Sequence, residues 1–241
     1  MKVIHKIINL VLPKRCLICR SPLIKNIGDK ICLDCWKKAE FSKGPICPIC
    51  GKAFLSDISL SSSPDFICGL CRKSRPHFDK HIYVGNYDGI LLEAIKLFKY
   101  KKKVSLGFTL SYLLCKKIKD VPAVDIIIPM PLHVKRLRSR EFNQTLLLSN
   151  LIALHLNKPL LKDVMIRIKD TIPQVKLDRT EREKNIRNVF LITNRCAIEG
   201  RRVLLIDDVF TTGSTVNECA GTLKRSGAYK VYVITLLMAN T

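Results

Sequence analysis

The sequence is short of acids. Asp and Glu number 20 against 42 Lys and Arg, a formal charge of +22. Such an excess implies a polyanionic partner, either nucleic acid or an anionic membrane surface; the alternative is a basic surface that only favours solubility. The chain also lacks any stretch long and apolar enough to span a bilayer as a helix. It lacks a convincing signal peptide. MKVIHKIINLVLPKRC opens like one, but Lys6 and Asn9 interrupt the apolar run and no small-residue cleavage site follows. These absences point to a soluble cytoplasmic protein. No Gly-Lys-Ser/Thr ending and no Gly-x-Gly-x-x-Gly occurs at its Gly-bearing loop, which excludes a Walker A or dinucleotide fingerprint there.

An apolar fraction of 47% over 241 residues is enough for a packed core, in one large domain or a medium domain plus a small one. Ile4, Ile7, Ile8, Val11 and Leu12 fall at helical spacing, so a short amphipathic helix ended by Pro13 is expected at the start.

Cysteine is abundant. Eight of the eleven cysteines form four Cys-x-x-Cys pairs: Cys16/Cys19, Cys32/Cys35, Cys47/Cys50 and Cys68/Cys71. Two cysteines three apart make a knuckle that turns both sulfurs to one tetrahedral ion, and two knuckles complete a four-cysteine zinc site. Four knuckles predict two structural zinc ions. A disulfide framework would need an oxidising compartment. Each half repeats one plan, with a Ser-rich loop (SDISLSSS) inserted in the second. The repetition favours sequential pairing, and an interleaved pairing is the alternative. The metals stand in for a core that so short a segment could not build. Cys115, Cys196 and Cys219 lack partners at ligand spacing and read as small core residues.

From about Tyr83 strands alternate with helices. Helical periodicity covers Gly89–Tyr100, Leu106–Ile118, Asn143–Leu156 and Thr215–Arg225, the last closed by Ser226-Gly227. Short β-branched apolar runs at Asp125–Ile128, Val203–Ile206 and Val231–Leu237 predict buried parallel strands. The fold class is therefore α/β, a parallel sheet with helices on both faces. Ligands of such sheets bind beyond the carboxyl ends of the strands.

That edge carries VLLIDDVFTTGST, Val203 to Thr215. Asp207 and Asp208 are expected exposed just past their strand, beside a crevice. Paired carboxylates suit the vicinal hydroxyls of a sugar or a hydrated Mg2+. Thr211, Thr212, Gly213, Ser214 and Thr215 then make a turn that opens a helix, whose free N–H groups and partial positive charge suit a phosphate. A sugar phosphate satisfies both halves. The bland alternative is an N-capped helix with two solvated acids.

This stretch closely resembles the phosphoribosyl pyrophosphate (PRPP) motif of type I phosphoribosyltransferases. The resemblance implies that Asp207 and Asp208 contact the ribose as the catalytic pair, that Thr211 to Thr215 hold the 5′-phosphate, and that Mg2+ binds with PRPP. Together with the four knuckles, YDGILLEAIKLFKYKKK and DIIIPMPLHVKRLRSREFNQT, the whole chain is similar to the ComF family (ComF, ComFC and GntX-like proteins). That family joins a double zinc ribbon to a phosphoribosyltransferase-type domain and is associated with natural competence and DNA utilisation. The implied organisation is a small double zinc ribbon over 1–75, including the amphipathic helix, and a type I phosphoribosyltransferase-like parallel-sheet domain over 82–241. The implied pyrophosphate loop is Met130, Pro131 and Leu132. Arg140 lies in the block read here as Arg140-Glu141-Phe142-Asn143-Gln144, where Glu141 replaces the family's usual glycine. Gln174, Arg179, Arg182 and Asn185 match the family's pattern over the pocket; Gln174 and Arg182 are carried as ligand-binding candidates.

Lys135, Arg136 and Arg138 suit a diphosphate or a nucleic acid backbone, and His133 a phosphate, though a lone loop histidine is more often incidental. Lys96, Lys99, Lys101, Lys102 and Lys103, with Tyr87, Phe98 and Tyr100 nearby, suit single-stranded DNA, Phe98 being expected in the core. Three functions follow: a DNA-handling protein with PRPP as bound ligand, a phosphoribosyltransferase acting on an unidentified base, or a module whose ribbons dock a DNA-uptake helicase or other competence protein.

Overall fold

The computed structural model describes residues 14–23, 30–54, 66–101, 103–140, 142–170, 186 and 188–239. The expected N-terminal amphipathic helix and the Ser-rich insertion lie outside them.

In chain order the elements are α1 (Leu33–Lys37), α2 (Gly69–Lys73), β1 (Lys80–Asn86), α3 (Gly89–Tyr100), α4 (Leu106–Lys117), β2 (Ile126–Pro129), α5 (Val134–Arg140), α6 (Gln144–Leu156), β3 (Met165–Arg167), β4 (Phe190–Ile192), β5 (Arg202–Phe210), α7 (Ser214–Arg225) and β6 (Lys230–Met238). Among the described residues four strands form one sheet in the order β1-β6-β5-β2, every pair parallel. Leu160 adds a parallel bridge to Ile127 outside β2. A separate antiparallel hairpin pairs β3 with β4. The expected parallel α/β sheet is therefore present. β1 was not anticipated, and each expected strand differs by a few residues from the observed one.

Alternation along the strands builds two cores. Val203 and Leu205 of β5 face α7 and the β3–β4 hairpin; Leu204 and Ile206 face α3, α4 and α6. All four are fully buried, and each such side chain contributes about 1.5–3 kcal/mol. α3 meets its core through Leu91, Ala94, Ile95 and Phe98, the spacing of one helical face. α7 does the same with Val216, Cys219, Ala220 and Leu223 and stops before Gly227, as its sequence signalled.

The ribbons are joined to the sheet. Cys16, Ile31 and Cys35 belong to the core beneath α3 and α4, while Cys47, Ile49, Cys68 and Cys71 belong to the core beneath α7. One ribbon thus packs on each face, and both meet β1. Ser42 N–H donates to the Val84 carbonyl at 2.8 Å, and His81 N–H to the Ile49 carbonyl at 2.7 Å. Gly85 explains the closeness of the first contact: a Cβ there would collide with the Glu40 carbonyl and Leu91. Cys219 is buried as expected and Cys115 partly so. Cys196 is exposed, a correction to its reading as a core residue. It sits in a turn after β4, where no apolar periodicity governs it.

Candidate functional site

The cysteines converge as two tetrads, Cys16/Cys19/Cys32/Cys35 and Cys47/Cys50/Cys68/Cys71, each with its sulfurs within 4.8 Å of one another. Pairing is sequential. Cys16 and Cys35 sulfurs lie 3.8 Å apart, Cys19 and Cys32 3.6 Å, and Cys50 and Cys68 3.6 Å. A tetrahedron of Zn–S bonds of about 2.3 Å gives sulfur separations of about 3.8 Å, so both sets fit zinc. Backbone N–H groups of Ile18 and Cys32 point at the Cys16 sulfur, and that of Cys68 at Cys47, as a thiolate requires.

The second group of candidate residues gathers around the end of β5. The strand does not stop at Ile206; it stays paired with β6 through Phe210. Asp207 and Asp208 therefore lie within it, and the expectation that both are exposed past the strand is corrected. Alternation sends them to opposite faces. Asp208 is buried toward α3, where its Oδ1 receives Lys99 Nζ at 2.7 Å. Asp207 faces the hairpin side and is influenced by Arg167 of β3; its Oδ1 accepts the Asp208 N–H at 2.8 Å. Burial and the neighbouring Asp208 carboxylate push the Asp207 carboxyl up to about 7, against the opposing pull of Lys99.

Three residues past the end of β5, Gly213 takes the left-handed conformation at φ 76° and caps α7. A Cβ on Gly213 would meet the Phe210 ring. The Thr212 and Ser214 hydroxyls lie 2.9 Å apart at the helix start. Phe210 is itself wedged, stacked on His81 at 4.1 Å and edge-on to Phe78 at 6.0 Å. His81 is buried; its Nδ1 meets the Cys50 carbonyl and its Nε2 the Thr235 hydroxyl, each at 2.9 Å. Because a carbonyl only accepts, Nδ1 carries the proton. Burial lowers its pKa to about 4, so the ring is neutral. A packed chain of groups thus runs from the second cysteine tetrad to the turn before α7.

Met130, Pro131 and Leu132 follow β2 on the neighbouring strand. The Met130 N–H is taken by the Ile206 carbonyl at 2.8 Å, so an anion at this loop must be met by later amides. The Met130 carbonyl accepts from Thr145 Oγ1 at 2.8 Å, and Thr145 Oγ1 also lies 2.6 Å from Asn143 Oδ1. Asn143 caps α6 by accepting from the Thr145 and Leu146 N–H groups. The Asn143-Gln144-Thr145 stretch therefore pins the loop. His133 Nδ1 lies 3.6 Å and Lys135 Nζ 3.4 Å from the Asp170 carboxylate. Gln174, Arg179, Arg182 and Asn185, with Glu141, Lys102 and the side chain of Arg140, lie outside the described residues.

Two residues beside the acid pair escaped the sequence. Lys99 was grouped with a surface lysine run, yet it is 14% exposed and pairs with Asp208. Its place one residue after buried Phe98 was the available signal. Arg167 sits on a three-residue strand, too short for periodicity to reveal.

Two four-cysteine centres flanking a parallel α/β sheet, with an acid pair near the end of a middle strand and a hydroxyl-rich helix start just beyond it, define a zinc-ribbon α/β protein. The family model described as a double zinc ribbon domain matches residues 7–72. Over 227 residues the chain is 33% identical to competence protein F of Haemophilus influenzae, covering 91% of this chain and 94% of that protein. It is 29% identical over 230 residues to the DNA utilization protein YhgH of Escherichia coli (strain K12), covering 93% and 96%. With competence protein ComFC of Bacillus subtilis it shares 27% over 244 residues, covering 93% and 91%. The chain belongs to this family of competence and DNA utilization proteins. Among solved structures it is similar to a purine phosphoribosyltransferase from Pyrococcus horikoshii, at 18% identity and a TM-score of 0.36, over 55% of this chain and 73% of that one.

Proposed function

We propose that this is a DNA-utilisation protein of the cytoplasm that binds single-stranded DNA and, in the β5 pocket, PRPP. The observation that carries the ligand reading is one strand: β5 delivers Asp207 and Asp208, and three residues past its end at Phe210, Gly213 opens α7. Acids for ribose hydroxyls and helix N–H groups for a phosphate are thereby held a few residues apart. Lys99 and Arg167 supply cationic charge beside the acids. Asp207, the less buried acid, is the residue that would reach Mg2+, which would neutralise the diphosphate when bound, while Asp208 stays paired with Lys99 on the other face. The basic excess of the chain and the family support the DNA reading. In this reading 1–75 is the zinc-ribbon part and 82–241 the ligand-binding part. Exposed Leu33 and Leu70, on the two ribbon helices, are points a protein partner would meet.

The test is calorimetric titration of PRPP with Mg2+ into the wild type and into Asp207→Asn/Asp208→Asn, with labelled oligothymidylate binding measured in parallel over a salt series. Binding of PRPP that vanishes in the double variant supports the pocket. DNA affinity that falls steeply with salt supports the DNA reading. If neither ligand binds, the proposal fails.

A second reading, a phosphoribosyltransferase, is favoured by the placement of Asp207 beside Asp208: burial and that neighbouring carboxylate raise its carboxyl toward neutral pH, where proton transfer is effective. Release of pyrophosphate from PRPP that depends on one added base, and is lost in Asp207→Asn, would establish it.

A further inference from the structure

We infer that the outer face of α4, with the turn that precedes it, is the platform on which a single strand of DNA stacks. This deepens the DNA reading above, rests on it, and names the surface. Val104, Phe108, Tyr112 and Lys116 recur every four residues and so share one side of the helix. Phe108 is 71% exposed, Tyr112 54% and Val104 46%. The opposite side, Leu106, Leu110 and Leu114, is fully buried against the sheet, so the helix cannot roll to hide its aromatics. A Phe this exposed beside an exposed Tyr gains nothing from the fold.

The charge around the aromatics selects the partner. From Lys101 to Lys119 the sequence holds six lysines and no acid. Lys116 Nζ stands 4.7 Å over the Tyr112 ring, and Lys101 and Lys103 are exposed at the other end of the stripe. Two copies meeting through this face would set lysines against lysines, which opposes self-association. A duplex presents phosphates but keeps its bases stacked inside. An unpaired strand offers both, phosphates for the lysines and ring faces for Phe108 and Tyr112. The aromatics are about 6 Å apart along the axis, room for a base on each.

The experiment uses the full chain and a labelled oligothymidylate, followed by fluorescence anisotropy. Phe108→Ala/Tyr112→Ala should weaken binding at least about fivefold, with the melting curve and PRPP titration unchanged. Lys103→Gln and Lys116→Gln should each reduce the salt slope of log K by about 0.7. Phe108→Trp should keep its affinity and lose indole fluorescence as the oligonucleotide is added; only Trp36 contributes background. Equal binding by wild type and double alanine variant, with no quenching of the new indole, would overturn the assignment while leaving DNA binding intact. A change in sedimenting mass without a change in DNA affinity would also overturn it, in favour of a self-association face. A wild type that binds no oligonucleotide would instead refute the DNA reading on which it rests.

Discussion

Lys99 Nζ lies 2.7 Å from Asp208 Oδ1, joining residues 109 positions apart and holding α3 against the acid pair of β5. The pair is largely shielded, so the ammonium does more than a surface lysine would. It offsets the charge that Asp208 carries into the interior, and its positive charge limits how far Asp207 is driven toward the neutral form.

Lys99→Met should therefore act on the acids as well as on stability. Removing one partner of a shielded pair costs about 1–3 kcal/mol, read as a lower melting temperature. With the cation gone, the Asp207 carboxyl is driven further toward its neutral form, so Mg2+-dependent PRPP binding should weaken and its onset move to higher pH. Titrations at several pH values check this. An unshifted pH profile would mean that Lys99 only packs.

Asp207 makes a pH prediction of definite sign. Its carboxyl titrates near 7 when folded, against about 4 when unfolded. Between those values the folded chain holds a proton that the unfolded chain has released, so this group's contribution to stability falls as pH rises through the window. Ligand affinity runs the other way, since the ionised acid is the acceptor, and should rise as pH passes 7. His81 opposes the stability slope. Buried and neutral with a pKa of about 4, it contributes stability that is lost as pH falls from about 6.5. The wild-type melting profile should thus look flat between pH 5.5 and 7. Asp207→Asn should unmask a profile that rises with pH, by about 1 kcal/mol across the range.

The parts legible in the sequence were those with local spacing. Cys-x-x-Cys knuckles announce a metal site because both ligands come from one turn, and the runs at Val203 and Val231 announce buried parallel strands because no residue interrupts them. β1 was missed because KHIYVGN begins with Lys80 and His81, which look solvated. His81 is instead satisfied by Cys50 and Thr235, partners no local pattern reveals. The same holds for Asp208. Its sequence neighbours suggested an exposed loop, but continued pairing with β6 kept the strand going and a distant lysine allowed the acid to be buried. Local pattern gives element type; the partner that makes a polar residue burial-competent comes from tertiary packing.

The zinc ribbons should be inseparable from the sheet. Each tetrad contributes buried cysteines to a different core, and both contact β1. Elemental analysis should give two zinc ions per chain and one in Cys47→Ser/Cys50→Ser. That variant should also lose PRPP affinity, because without its zinc the knuckle no longer fixes the Cys50 backbone carbonyl that holds His81, and His81 supports Phe210 beneath the turn before α7. A chain of residues 76–241 should lack a cooperative melting transition, since it exposes both cores along β1. A stable, PRPP-binding fragment would show that the ribbons are only appended.

Gly213 offers the sharpest test of the turn before α7. Its φ of 76° is strained for any L side chain, and the space a methyl would need is filled by Phe210. The ring cannot swing aside easily, being stacked on His81 and set edge-on against Phe78. Gly213→Ala should therefore destabilise the chain by about 1–3 kcal/mol and displace the amides that open α7. Stability and binding can be separated with Phe210→Leu, which makes room for the methyl but leaves the backbone strain. If the turn's shape is what holds the phosphate, Gly213→Ala/Phe210→Leu should recover part of the lost melting temperature without recovering PRPP affinity. Recovery of both would place the requirement in the ring contact and not in the left-handed backbone.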